Sequence, residues 1–403
     1  MTSPQFARAL VLSAALGFAA ALPASGAAEV GSDAGVVVDL NKGVWVHGPD
    51  LPSARQDAAV AVMDGRIYLA GGFGPHDQQM ATLLVFEPTF PSPVANPDVA
   101  GPIVSHPGEW REAATMPEPV DSAAAAGMGG YLYVAGGRIE DLVTNKFWRY
   151  DPIGDTWTEL PSMPFPRYAP MMQAVNGKLY LFGGQSSHGN DDTSMMIFDV
   201  AKNSWRTEEY ALGEERYMAG SVVLDGLIYL VGGRNRDQVS LQSCDVYDPS
   251  RDRWRSCSNM RFGRADFGLA AVNNRLMAIG GENYAGSSPE ASATSAPIPA
   301  IVFGENYLGY APEASPTPRP VITFDADFNQ KITQTTEISS TDARGWISGP
   351  WLPFPRHGLA VAALGNQIWV IGGAAYSGTS PLTSVLRFVS PVTQVKFKGH
   401  APH

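Results

Sequence analysis

The chain has 403 residues, 44% hydrophobic and 17% charged, which is globular composition with enough apolar material for one large domain or two ordinary ones. A formal charge of −11 argues against nucleic acid or an anionic membrane as partner, because both bind through a basic surface. Acidity of this size selects no ligand.

The first residues, Met1 to Ala28, carry one Arg8, an apolar run from Ala9 to Leu22 and then small residues around Ala24-Ser25-Gly26-Ala27-Ala28. That order predicts a cleaved secretory signal over 1–28, and with it a secreted or periplasmic location. No later stretch has the apolar length of a membrane-spanning helix, so no integral membrane segment is expected after cleavage. Residues 29–40 are expected to be a flexible N-terminal segment.

From there six similar strands follow in order: Arg66–Ala70, Tyr131–Ala135, Lys178–Phe182, Leu227–Val231, Arg275–Ile279 and Gln367–Ile371, each ending in a glycine pair. The pairs begin at Gly71, Gly136, Gly183, Gly232, Gly280 and Gly372, a recurrence of roughly 50 residues lengthened in the first and fifth units. After each pair comes an aromatic–acid dipeptide and then a Trp: Tyr150-Asp151 with Trp157, Phe198-Asp199 with Trp205, Tyr247-Asp248 with Trp254. Phe86-Glu87 with Trp110 and Phe324-Asp325 with Trp346 repeat the order across insertions. An early Arg precedes five units: Arg55, Arg167, Arg216, Arg264 and Arg356. The second unit has Val120-Asp121 there instead.

These features resemble the kelch repeat family over essentially the whole chain after the leader. The resemblance implies an all-β, six-bladed kelch β-propeller over 41–392, each blade four strands. The sixth unit ends Phe388-Val389-Ser390 without a Trp, and Gly43-Val44-Trp45-Val46-His47 supplies the missing strand from the other end of the chain. The family commonly closes its ring in this way, with an N-terminal strand joining the C-terminal blade. Residues 393–403 are left as a C-terminal tail, 89–107 as an insertion in blade one, and 285–318 as an insertion in blade five. The last begins beside an internal duplication, Gly281–Ser292 recurring as Gly304–Ser315, and reads either as a lid or as a harmless surface repeat.

The resemblance also puts the early arginines near the axis, at the mouth where the loops after the glycine pairs emerge. Arg55, Arg167, Arg216, Arg264 and Arg356 are therefore either a partial basic ring for a ligand or internal ion-pair partners. His76, Arg138, His188, Arg234 and Arg236, in the loops after the glycine pairs, complete the candidate mouth. Cys244 and Cys257 are the only cysteines, and the register that sets Tyr247 opposite Trp254 sets them opposite each other, so a disulfide is expected.

No nucleophile elbow, phosphate loop, metalloprotease motif or calcium loop occurs, so no cofactor, metal site or catalytic residue is assigned. Two functions remain: a module binding a protein or glycan at one mouth, or, by resemblance to the N-acetylneuraminate mutarotases, a sugar mutarotase acting on an acidic sugar.

Overall fold

The computed structural model describes residues 34–38, 40–89, 108–186, 193–208, 211–284, 330–339, 345–376, 378, 380–390 and 392–396. Among these, six four-stranded antiparallel sheets form the blades of a β-propeller. Blade three is the plainest, running Met171–Val175, Lys178–Phe182, Met195–Asp199 and Ser204–Glu208 in consecutive hairpins. Its first hairpin turns on Asn176-Gly177, both with positive φ, the backbone that a two-residue turn between twisted strands needs.

The sixth blade pairs Ala360–Leu364, Gln367–Ile371 and Val385–Val389 with Val44–His47, as the sequence predicts. Trp45 stands opposite Phe388. Pairing the two ends of the ring leaves no open edge between first and last blade.

Neighbouring blades pack face to face through apolar side chains. Phe147 of blade two meets Phe198 and Trp205 of blade three, with ring centroids 4.9 and 5.0 Å apart. The recurring Trp also carries a polar duty: its indole N–H donates to a carbonyl on the linker entering its own blade. Trp110 donates to Pro49, Trp157 to Ala114, Trp205 to Pro161, Trp346 to Ser258 and Trp45 to Pro350, all at 2.8–3.0 Å. Each of these indoles thus fastens one blade to the chain leaving the previous one.

Two circuits of main-chain bonds join the blades near the axis. The second glycine of every pair donates to the carbonyl at the early-Arg position of the next blade: Gly72 to Val120, Gly137 to Arg167, Gly184 to Arg216, Gly233 to Arg264, Gly281 to Arg356 and Gly373 to Arg55, at 2.7–2.9 Å. The first glycine lies so close to the same carbonyl that a Cβ at Gly232 would stand 2.7 Å from Arg264 O. Close approach explains the doublets better than turn geometry alone.

The second circuit is tighter. Asp57 N donates to Gly358 O, Gly358 to Asp266, Asp266 to Met218, Met218 to Ala169, Ala169 to Ser122 and Ser122 back to Asp57, at 2.8–3.2 Å. All six residues are left-handed, with φ between 48° and 58°. One residue from each blade therefore closes a six-membered amide ring. The innermost strands enclose an axial cavity of about 530 Å³, lined largely by Ala, Val and Gly.

Outside the blades, Ala34–Val38 and Val392–Lys396 pair in a two-stranded sheet of their own. These strands fall within the 29–40 segment and across the start of the 393–403 tail. Of the insertions, 90–107 and 285–329 lie outside the described residues, as do the leader 1–28 and His188. No described helix is long and apolar enough to cross a membrane.

Candidate functional site

The early arginines do not form an exposed basic ring. Arg55, Arg167, Arg216, Arg264 and Arg356 are 0–1% exposed, and each has its guanidinium bonded within the protein. Arg216 donates to Gly232 O, to Ser243 Oγ and to Asp245 at 2.6 Å. Arg264 repeats this with Gly280 O, Thr335 and a buried Glu337 at 2.7 Å, and Arg356 with Gly372 O and Ser384. The main chain of each arginine holds the preceding blade, while the side chains of Arg216, Arg264 and Arg356 hold the glycine pair of their own. Of the two uses the sequence left open, the internal one is what the geometry displays. Burial lowers the pKa of Arg216 and Arg264, and Asp245 and Glu337 oppose that shift.

The next residue along forms a second set of equivalent positions. Gln56, Asp121, Tyr168, Tyr217, Ala265 and His357 follow the early-Arg position, and each bridges to the residue after a glycine pair: Phe73, Arg138, Gln185, Arg234, Glu282 and Ala374. Twelve register-equivalent positions, two per blade, result, and the amide circuit lies directly after the first six in sequence. Arg138 and Arg234, both candidates from sequence, belong to this set. Arg138 pairs with the buried Asp121 at 3.1 Å and lies over the ring of Tyr168 at 4.6 Å. Arg234 pairs with the buried Glu282 and stacks on Tyr284 at 5.3 Å. Tyr217 donates its hydroxyl to Gln238.

The other sequence candidates stand apart from these pairs. His76 is exposed in the short turn Pro75–Asp77, and Arg236 pairs with Glu215 at 2.7 Å on the surface.

Asp57, Asp266, Glu282 and His357 form one cluster. His357 is 5% exposed; its Nδ1 is 2.9 Å from Asp266 Oδ2 and its Nε2 is 3.0 Å from Tyr376 O. Asp57 and Asp266 flank Gly358, where a Cβ would meet Asp57 Oδ1 at 2.6 Å and Asp266 Oδ2 at 3.4 Å. Burial and repulsion from Asp266 raise Asp57 to about 7. His357 is raised to about 9: burial works against its charge, but the hydrogen bond and charge of Asp266 outweigh it. Tyr168 is also pushed upward, chiefly by burial and then by Asp57.

Blade five's insertion is rooted here. Glu282–Tyr284 pairs with Gln330–Ile332, a ribbon bonded to blade four through Ser240 N to Tyr284 O and Tyr284 N to Ser240 Oγ, both 2.9 Å. Asp57, Asp266, Glu282 and His357 escaped the sequence reading because they share no motif. Their common signal is register, one or two residues after the early Arg or directly after a glycine pair.

The expected disulfide is present: Cys244 and Cys257 are joined across the outer hairpin of blade four, with Cα atoms 5.0 Å apart.

Residues 105–281 match the family model described as the KLHDC2/KLHL20/DRC7 Kelch-repeats domain. Kelch repeats are thus matched over residues 105–281, within a six-bladed β-propeller. Beta-scruin of Limulus polyphemus is 29% identical over 169 residues, 39% of this chain and 17% of that protein. Kelch repeat and BTB domain-containing protein 12 of Danio rerio is 36% identical over 93 residues, 21% of this chain and 15% of that protein. The chain thus spans less than a fifth of the length of these relatives. The solved structure of YjhT superposes with a TM-score of 0.65 at 16% identity, covering 86% of this chain and 99% of that one, a likeness of fold.

Proposed function

We propose that the propeller is a binding module that takes a protein or glycan at the mouth ringed by Gln56, Asp121, Tyr168, Tyr217 and His357. The supporting observation is the composition of that ring: Tyr168 beneath Arg138, and Tyr217 and Tyr284 near Arg234. Aromatic faces edged by guanidinium donors suit sugar rings or peptide side chains, while the buried scaffold arginines fix their position. The cysteine bridge and the signal-like start support a secreted or periplasmic setting, where a disulfide persists. Fold alone does not select the ligand.

The test screens purified protein by thermal shift against sialic acids and neutral sugars, with pull-down from envelope extracts alongside. A glycan or protein that binds wild type and loses at least tenfold affinity in Arg138→Ala or Tyr168→Ala supports the reading. Failure of every sugar together with no captured protein overturns it.

A second reading, a sugar mutarotase, has one observation in its favour: His357, Asp266 and Asp57 place proton-exchanging groups in the same mouth as Arg138 and Arg234. Ring opening needs such an acid and base beside a carboxylate-binding guanidinium. Anomer exchange followed by NMR decides it, and exchange no faster than in buffer removes it.

A further inference from the structure

The tautomer of His357 is fixed by its surroundings. Tyr376 O is a carbonyl and can only accept, so Nε2 carries a hydrogen and donates to it at 3.0 Å. Nδ1 on the other side faces only oxygen atoms of carboxylates, Asp266 Oδ2 at 2.9 Å and Glu282 Oε2 at 3.9 Å. A bare lone pair cannot hydrogen-bond an ionised carboxylate. The space between Nδ1 and the two acids must therefore hold positive charge, either a proton or a metal ion.

The rest of the cluster points the same way. The donor atoms of Asp266, Glu282 and His357 all lie within 4.8 Å of one another, and ligands on a shared ion with bonds near 2.0–2.2 Å stand about 3–4 Å apart. Hydrogen bonding of the far ring nitrogen to a main-chain carbonyl is the outer support that metal-binding histidines usually have. Asp57 adds a carboxylate across Gly358 from Asp266, and Arg234 adds one guanidinium on Glu282 Oε1. Asp57, Asp266 and Glu282 thus set three carboxyl groups close to Nδ1, an acidic setting that suits a cation in the place of the Nδ1 proton.

We propose that His357, Asp266 and Glu282 form a site for a divalent transition-metal ion at the mouth of the ring, with the proton on Nδ1 as its competitor. One imidazole and two carboxylates suit Zn²⁺ or Mn²⁺. Three protein ligands leave a coordination position for water or a hydroxyl or carboxylate of a ligand. The proposal stands whether the ring takes a protein or a glycan.

The experiment uses tag-free full-length protein, stripped with chelator and titrated calorimetrically with Zn²⁺, with Mn²⁺ as comparison. The expected result is one ion per chain. His357→Gln and Asp266→Asn should each weaken binding at least tenfold, while His47→Ala, altering an exposed histidine on the outer strand of blade six, should leave it unchanged. Co²⁺ substitution supplies a second readout, visible absorption bands that vanish in Asp266→Asn, and Glu282→Gln serves if His357→Gln does not fold. Absence of binding to wild type, or binding undiminished in folded variants, overturns the proposal.

Discussion

Trp45 lies with its ring centroid 5.0 Å from that of Phe388, so residues more than three hundred positions apart make the aromatic pair that blades one to four make within a hairpin, whereas in blade five Ser339, not Phe324, stands opposite Trp346. Its indole also donates to Pro350 O on the linker into blade six. Trp45→Ala removes both the packing and the clasp. A loss of about 3 kcal/mol is expected from large-to-small changes of this kind. Denaturant unfolding should show the lower midpoint, whereas Ile153→Ala, at a side chain 97% exposed, should not move it.

Arg264 and Glu337 are each 1% exposed and 2.7 Å apart. Arg264→Ala leaves a carboxylate buried without its partner, and about 3–5 kcal/mol should be lost. Arg264→Met with Glu337→Leu removes both charges and should recover much of that loss. If the single and double variants unfold at the same denaturant concentration, the pair is not coupled in this way.

Gly358 differs from the other five members of the axial circuit, which tolerate left-handed backbone with side chains as different as Met218 and Asp57. Space is what restricts it, since Asp57 and Asp266 close over the position. Gly358→Ala should destabilise by about 1–3 kcal/mol through overpacking. Ala169→Gly, at an equivalent φ without that crowding, should have a much smaller effect, read by thermal unfolding of the two variants side by side.

The same carboxylates govern the response to pH. Asp57 is raised from 3.8 to about 7, so the folded state holds its proton more tightly than the unfolded chain, and stability should fall as pH rises through that interval. His357 is raised from 6.5 to about 9, so its contribution is full below pH 6.5 and lost as pH climbs through 9. Melting temperatures measured from pH 4 to 9.5 should decline across both windows. Asp57→Asn should flatten the lower window and His357→Gln the upper one; an unchanged profile in both would refute the assignment.

The bridge between Cys244 and Cys257 closes a short loop of sequence separation 13. Chain-entropy estimates give about 3 kcal/mol for a loop of that size, which the double Ser variant should forfeit. Thiol titration under denaturing, non-reducing conditions should find no free cysteine in the wild type.

Much of this architecture was legible in the residues themselves. Repetition of the glycine pairs announced the strands, the lone Trp45 announced how the ring closes, and the register of Tyr247 and Trp254 placed the disulfide. Recurrence of the early Arg was legible as well, but not its use. A side chain repeated in five blades serves a need of the scaffold, and in Arg216, Arg264 and Arg356 that need is to hold the glycine pair of their own blade. The site was hidden for the converse reason. Gln56, Asp121, Tyr168, Tyr217, Ala265 and His357 share a position but no chemistry, because their main chain performs the common task and leaves the side chain unrestricted. Asp57 and Asp266 become neighbours only once blade six has closed on blade one.

The axial circuit of six amides has neither a first nor a last donor, so every blade is indispensable to it and none carries a special role in it. Blade one lengthens between its third and fourth strands, and blade five through the ribbon of Glu282–Tyr284 and Gln330–Ile332, while the six residues at the hub keep one conformation. A hub of six amides has no place for a seventh blade, and the extra length of this chain sits in the loops of blades one and five.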